Sequence, residues 1–564
     1  MMASENEPPA PHFAKRKIAI IGGGPTGLAA LKECLAEGHT AVAFEGRPEI
    51  GGQWAYQPIP PSNPSPSSSP NASSKFPLYP DVWSSMYDSA ELNSCRDTTS
   101  FGDFPIDPAR YEQYFGHAKM LQYLKEYAEH FDLMPCIRLS TCVVEVEFEA
   151  AEGDATSKAG GPTAVVRTQK VGSSTTSSDV EEEKFDAVLV CTGHLTKPVT
   201  PDFEGRDKYE GGLGHSHYYR SPETYKGKKT VLIGQGSSAI DIATELTVHA
   251  KEVHMVTRRG GWVIPKWVLG KPAEAWDNRV TQLWIPLGLS QWLQTQLLNL
   301  VMGTHPPLLK PDHKILEQNA SCQQTFVPLV KEGKIKIHRT TIEELSENGI
   351  GLADKSKIDD VDAIICCTGY SSRELPFQIK HADKRQNSNK VPHDLYKMIV
   401  PVTNNTAPSV YYLGFIDLFG PHLPTAEAQA RWVAAALSGR INLPDEATQK
   451  AEIEHHKKLR QERFVGSERH DLAAYPVEYI DDLMTPLGAV PTTWACLKKG
   501  VWNAVFVGVT AAAQWRLFGH GACEQLAKAS VKRVVAEKKE MSLEEKAGLK
   551  AQREEILRAR KVTK

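Results

Sequence analysis

The chain opens its ordered pattern with a short apolar run, Lys17–Ile21 (KIAII), followed by a glycine cluster. Apolar positions at helical spacing come next, then a second apolar run that stops at Glu45. Short continuous apolar runs bounded by glycine read as strands. The pattern predicts strand, glycine turn, helix, strand. It returns at KTVLIGQGSSAIDIATEL (229–246). Two further apolar runs, FDAVLVCTGHLTKP (185–198) and VDAIICCTGY (361–370), both end in Thr-Gly. Repetition of a whole strand–turn–helix unit predicts two related α/β units, the second inserted in the first.

Polar stretches punctuate this pattern. Residues 1–16 have no apolar periodicity and read as disordered, as does the Pro/Ser insertion 58–76, which has no means of forming a core. The stretch 152–183 reads as the expanded loops of a β-meander. In LWIPLGLSQWLQTQLLNLVMG (283–303), Leu289, Trp292, Leu293, Leu297, Leu300 and Val301 share one helical face, and the expectation is a helix covering a core. GVWNAVFVGVTAAAQW (500–515) reads as buried. From Val531 on there are eleven Lys/Arg against six Glu, an exposed amphipathic helix by pattern.

Composition narrows the class. The 564 residues suffice for two or three domains, and 41% hydrophobic with 24% charged residues is ordinary for a globular chain. A net charge of −3 gives no sign of a nucleic-acid partner. Ten cysteines without a CxxC, with one vicinal pair at Cys366–Cys367, point to a reducing compartment. No secretory h-region and no apolar run of about 18 residues occur, so a cytoplasmic location is expected. Peripheral membrane contact and a homodimer stay open.

The chemistry starts at the glycines. Gly22, Gly24 and Gly27 form GxGxxG between strand and helix, with Pro25 and Thr26 at the helix start. The first glycine allows the tight turn, the second lets backbone approach a pyrophosphate, and the third lets helix and strand pack closely. The helix N-terminus offers N–H groups to phosphate. Glu45 lies where a carboxylate accepts ribose hydroxyls. In the second loop, Gly234 and Gly236 are followed by Ser237, Ser238 and Ala239, alanine replacing the third glycine. Here the next strand ends in Thr257-Arg258-Arg259, and paired guanidinium groups suit a 2′-phosphate. The prediction is FAD in the first site and NADP(H) in the second, on an α/β fold of two Rossmann-like dinucleotide-binding domains (three-layer ββα). The expected organisation is an FAD domain from 17–215 and 361–445, an NADPH domain from 216–360, and a C-terminal helical region, 446–564, with its charged tail at 531–564. No metal site is expected.

Ahead of the second loop the chain reads Tyr209-Glu-Gly211-Gly-Leu-Gly-His215-Ser-His-Tyr-Tyr219-Arg220. That spacing resembles the fingerprint of the flavin-containing monooxygenases, Phe-x-Gly-xxx-His-xxx-Tyr/Phe-Lys/Arg, with Tyr209 in place of Phe. Cys367-Thr368-Gly369-Tyr370 is similar to the family's Ala-Thr-Gly-Tyr, and 253–266, 428–432, 479–490 and 515–521 also look like family segments. The resemblance spans roughly 17–530. It implies that ELNSCRDTTSFGDFP (91–105) brings Asn93, with Ser94, beside the reactive face of the flavin. It implies flavin contacts at Gly52, Gln53 and Trp54, and cofactor contacts at the strand ends Thr192-Gly193 and Thr368-Gly369. His215, Tyr219 and Arg220 are implied to position the NADPH domain, with Tyr219 and Arg220 either touching the cofactor or locking the joint.

The implied activity is an NADPH- and O2-dependent monooxygenation of soft nucleophiles, an amine nitrogen or a thioether sulfur of a small molecule, through a C4a-hydroperoxyflavin. A Baeyer–Villiger monooxygenase acting on ketones is the nearest rival, but its related fingerprint has tryptophan where this chain has Tyr219-Arg220. A flavin-disulfide reductase lacks its cysteine pair here. A non-catalytic flavin-binding redox sensor would show no steady NADPH consumption in air.

Overall fold

The computed structural model describes residues 15–58, 84–149, 163–171, 180–381, 387–402, 408–466 and 471–536. Of the stretches expected to be disordered or loop-like, 1–14, 59–76, 152–162, 172–179 and 537–564 lie outside the described residues; Arg16, expected to be disordered, is described and donates to the Leu437 carbonyl at 3.0 Å.

The first unit is built on a parallel sheet. Its strands are β1 (Lys17–Ile21), β2 (Thr40–Phe44), β3 (Ile137–Arg138), β7 (Ala187–Val190) and the late strand Val410–Tyr412, in the order Val410–Tyr412, β7, β1, β2, β3. Alternation decides the layers. Ile18, Ile20, Ala41, Ala43 and Leu189 face the helices α1 (Pro25–Ala36) and α2 (His117–His130). Ala19, Ile21, Phe44, Val188 and Val190 face the opposite way. There an antiparallel meander of β4 (Thr141–Phe148), β5 (Ala164–Lys170) and β6 (Val180–Phe185) covers them, joined by the strand Glu374–His381. Both faces are buried, which is why these strands read as continuous apolar runs.

The second unit repeats the plan. Two residues of β8 (Lys197–Pro198) lead toward β9 (Gly212–His215), then β10 (Lys229–Ile233), α3 (Ser237–His249) and β11 (Glu252–Val256). The sheet order is Ile335–His338, β11, β10, Ala363–Cys366, β9, all parallel. This moves the expected boundaries: β9 and Ala363–Cys366 belong to the second sheet, although motif edges placed both in the first unit. The pairing explains it. Each strand ending in Thr-Gly lies beside its own glycine loop, β7 against β1 and Ala363–Cys366 against β10. The chain crosses between units twice, and the crossings pair where β8 meets Tyr370–Ser371.

Between β11 and the helix Phe326–Lys331 the chain inserts a hairpin (Trp267–Val268, Lys271–Pro272) and two helices, α4 (Arg279–Leu283) and α5 (Leu287–Met302). The expectation that α5 turns its apolar face to a core is overturned. Leu289, Trp292, Leu293 and Leu300 are exposed, Leu300 by 77%, and α5 buries Ser290, Gln291 and Leu298 instead. The helix has two workable faces, because its polar residues are uncharged. Gln291 and Ser290 can be buried at low cost where Lys or Glu could not.

The C-terminal helices complete the first unit. The helix His422–Ser438 lies against α1 with Trp432 and Val433 fully buried. Buried Arg516 joins the layers: its guanidinium reaches Glu33 of α1, Glu427 and Asp103 together. Burial opposes the Glu33 charge, but Arg516 and Lys32 hold its carboxyl down to about 2. The three carboxylates enclose a protein cation, so this cluster is an ion-pair network. A second carboxylate pair, Glu452 and Asp482, closes on Lys397 in the same way. The segment 500–515 is largely buried as expected, with Val505, Phe506, Ala512 and Trp515 in the interior.

Candidate functional site

The first glycine loop is a cradle that side chains would fill. Gly22 has φ +115°, and its N–H donates to the Phe44 carbonyl at 2.8 Å. A Cβ on Gly27 would lie 1.9 Å from the Gly22 carbonyl oxygen, and one on Gly24 would meet the Gly52 Cα at 3.3 Å. The turn Gly52-Gln53-Trp54 thus lies directly against the loop, held by the Gly51 N–H donating to the Gly23 carbonyl. Helix α1 starts at Pro25 with Thr26 next, has no side-chain cap and no acid in its first turn, so its N-terminal N–H groups stay available for an anion. Glu45, just past β2, accepts the Gly23 N–H at 2.6 Å and the Arg47 N–H at 3.0 Å. At the end of β7 the Thr192 hydroxyl is buried with no hydrogen-bond partner among the described residues, and Gly193 follows at φ +75° with open space around it. Glycine approach, free helix terminus, strand-end carboxylate and unpartnered hydroxyl fit a dinucleotide.

The second loop has the same geometry and the opposite charge. Gly234 has φ +110° and packs on the Cys367 carbonyl, whereas a Cβ on Gly236 would meet nothing within 4 Å. Helix α3 begins at Ser237 and Ser238, again without a side-chain cap or first-turn acid. Ala239 is fully buried, so its methyl group is accommodated where the first loop needs glycine. Thr257 is buried; Arg258 and Arg259 are exposed and make no ion pair among the described residues. Thr368 donates to the Val199 carbonyl and Gly369 turns at φ +85°, both in the crossing between units.

The fingerprint stretch forms the joint. Arg220 donates to four backbone carbonyls: Gln57 and Ser84 from the first unit, His217 and Tyr219 from its own turn. Tyr219 is 2% exposed and its hydroxyl bonds Glu245 of α3. His215 is buried, accepts the His217 N–H at Nδ1, and packs edge-on to Tyr370. Burial, with His217 nearby, pushes His215 down to about 4, so it stays neutral. Of the two roles expected for Tyr219 and Arg220, this geometry serves the lock, since both side chains are engaged with protein.

Asn93 lies exposed between buried Leu92 and half-buried Ser94, whose hydroxyl bonds Thr99 at 2.6 Å. The insertion after β11 holds this loop from the other unit. Lys266 pairs with Glu91 at 2.9 Å, and Glu274 accepts the Cys95 N–H at 2.7 Å and the Tyr114 hydroxyl at 2.9 Å. Burial and the Glu274 carboxylate push the Tyr114 hydroxyl far up, so it remains a donor. Deeper in the same junction Asp241 of α3 accepts from Tyr87 at 2.8 Å and Gln323 at 3.1 Å, and burial raises its carboxyl. Sequence reasoning missed Glu274, Tyr114, Asp241 and Lys266, because none sits in a glycine or Thr-Gly pattern. It also missed Gly414 (φ +81°), which returns to the first loop so closely that a Cβ there would meet the Thr26 hydroxyl at 2.8 Å. Buried Gln429 fixes it by accepting the Gly414 N–H.

Comparison with known proteins agrees with this architecture. A family model described as flavin-binding monooxygenase-like matches residues 15–553. The chain is 32% identical to flavin-containing monooxygenase 5 of Homo sapiens over 85% of this chain and 84% of the relative. It is 29% identical to dimethylaniline monooxygenase [N-oxide-forming] 2 of Rattus norvegicus over 90% of each. Among solved structures, S-allyl-L-cysteine S-oxygenase from Allium sativum superposes with a TM-score of 0.60 at 25% identity, covering 93% of this chain and 99% of that one. Matched along nearly its whole length, the chain belongs to the flavin-binding monooxygenase-like family and is an NADPH-dependent flavoprotein monooxygenase that takes FAD, NADP(H), O2 and a small-molecule substrate.

Proposed function

We propose that this enzyme oxygenates soft nucleophiles, an amine nitrogen or a thioether sulfur, in small molecules. The observation that carries the reading is the state of the groups around Asn93. Glu91 is paired with Lys266, and Glu274 is engaged by Cys95 and Tyr114, so the carboxylates near this loop are committed. Carboxylates engaged in this way suit a substrate that is already a nucleophile and needs no base. The named N-oxide-forming and S-oxygenating relatives support the same class.

In this reading FAD lies on Gly22, Gly24, Pro25, Thr26 and Gly27, with Glu45 on its ribose and Gly52, Gln53, Trp54, Thr192 and Gly193 along its length. NADP(H) lies on Gly234, Gly236, Ser237, Ser238 and Ala239, with Thr257, Arg258 and Arg259 at the 2′-phosphate and Thr368-Gly369 at the crossing. The bound flavin supplies hydride acceptance from NADPH and activation of dioxygen. Asn93, exposed in a loop that Glu274 and Lys266 of the second unit hold, offers one amide that both donates and accepts, with Ser94 next to it in sequence. His215, Tyr219 and Arg220 hold the two units in register.

The test is product analysis by mass spectrometry with NADPH, air and three probes: a tertiary amine, a thioether and a cyclic ketone. N-oxide or sulfoxide formation matched to NADPH oxidation supports the proposal. Ester from the ketone with neither of the other products replaces it with Baeyer–Villiger chemistry.

A further inference from the structure

We propose that the cavity between the helix Glu446–Arg463 and the rest of the first unit is a binding site for a compact carboxylate with a short apolar body. This goes beyond the oxygenation chemistry and does not rest on it. None of the glycine-loop residues lines this cavity, and neither Asn93 nor Glu274 does.

The first observation is an inward-facing arginine. The helix Glu446–Arg463 is mostly charged, and its one inward stripe is Gln449, Ile453, His456, Arg460 and Arg463, alternating steps of four and three. Gln449 and Ile453 are buried, while His456, Arg460 and Arg463 line the cavity. Arg463 is answered by Glu478 at 2.6 Å. Arg460 is half-buried, and its guanidinium makes no hydrogen bond or ion pair among the described residues. Burial lowers its pKa, with Arg373 on the cavity wall pushing the same way against Asp471 and Asp394. That direction marks a cation short of countercharge.

The second observation is that the neighbouring carboxylates are already committed. Glu452 and Asp482 close on Lys397 at 2.7 and 2.8 Å, and Asp394 pairs with Lys457 at 2.8 Å. Asp471 is exposed, and it forms no ion pair with Arg460. The cavity therefore presents one guanidinium to whatever enters it.

The third observation is the wall. Leu395, Phe415, Ile453, Phe464 and Leu472 are buried around a space of about 110 Å³. An apolar cavity of about 150 Å³ takes a benzene ring, so this one has room for a chain of about three or four carbons. A guanidinium fork matches a carboxylate with two parallel hydrogen bonds. A neutral molecule of the same shape would leave Arg460 unanswered. Inorganic phosphate would bring a strongly hydrated charge against the apolar wall. A short-chain carboxylate satisfies both the arginine and the wall.

The experiment is a ligand-observed NMR titration of the full-length holoprotein with butyrate, butan-1-ol and inorganic phosphate. Wild type is expected to bind butyrate saturably, and the other two at least about tenfold more weakly, the scale of one charge-assisted contact. Arg460→Met keeps the apolar stem and is expected to weaken butyrate by about tenfold or more. Leu459→Trp fills the cavity from its half-buried edge without changing charge, and is expected to lose butyrate as well. Retained flavin and NADPH oxidation show that each variant folds; if Leu459→Trp does not, Arg460→Met decides. Wild type that does not bind butyrate overturns the proposal, as does equal butyrate binding by Arg460→Met. Butan-1-ol or phosphate bound as tightly as butyrate also overturns it.

Discussion

Glu274 accepts the backbone N–H of Cys95 at 2.7 Å, two residues past Asn93, and so ties the exposed Asn93 loop of the first unit to the insertion of the second. The same carboxylate takes the Tyr114 hydroxyl. One side chain therefore couples the position of Asn93 to the placement of the NADPH-binding unit. Bonds to a charged acceptor are worth about 1.5–3 kcal/mol each, and a donor left unmet costs a similar amount. Glu274→Ala is expected to keep flavin reduction by NADPH while a larger share of the NADPH consumed appears as hydrogen peroxide. Glu274→Gln, which keeps an acceptor, should fall between. Titrating peroxide against oxygenated product reads this out, and an unchanged ratio would show that the clamp does not position Asn93.

The two glycine loops make contrasting predictions. In Gly27→Ala the new methyl group would lie 1.9 Å from the Gly22 oxygen, so strand and helix must separate. Overpacking costs about 1–3 kcal/mol, enough for roughly a tenfold loss of bound flavin, visible as the flavin absorbance per protein after purification. Gly236→Ala meets no protein atom within 4 Å. It should purify with full flavin and normal thermal stability, and the damage should appear only as a raised KM for NADPH.

Arg258 and Arg259 are exposed at the end of β11, with no ion-pair partner among the described residues. Their removal should leave the fold untouched. If they meet the 2′-phosphate, Arg258→Ala/Arg259→Ala raises the KM for NADPH by about ten- to a hundredfold, the scale of one or two charge-assisted bonds, and leaves the KM for NADH unchanged. Equal effects on both cofactors would remove these arginines from the 2′ position.

Much of the architecture was legible because it is local. Glycine loops, strand ends and the meander each occupy short stretches whose alternation or turn chemistry can be read directly. What was not legible depended on pairing across the chain. The boundary at His215 failed because β9 takes its place from Ala363–Cys366, about 150 residues away in sequence. The face of α5 failed because periodicity says which residues share a side, and not which side finds a partner. Glu274, Asp241 and Gly414 have no spacing signal at all. Their role follows from where an insertion and a C-terminal return happen to land.

The joint should also set an acid limit on stability. His215 is buried, and burial with the neighbouring His217 brings its imidazole from an ordinary 6.5 to about 4. Protons thus bind the unfolded chain more readily than the folded one. The contribution of neutral His215 is complete above pH 6.5, declines as the pH falls from 6.5 toward 4, and levels off below that, where both states are protonated. A fall of this size corresponds to at most roughly 3.5 kcal/mol, since each tenfold change in proton affinity is worth about 1.4 kcal/mol. His215→Gln removes the titration and keeps an acceptor near the His217 N–H. Thermal unfolding between pH 7.5 and 4 should therefore show a shallower acid decline for the variant, while at pH 7.5 the two proteins differ little. Parallel curves would assign the decline instead to other buried histidines held low by desolvation, His254 and His305, which lie within the second unit rather than at its joint.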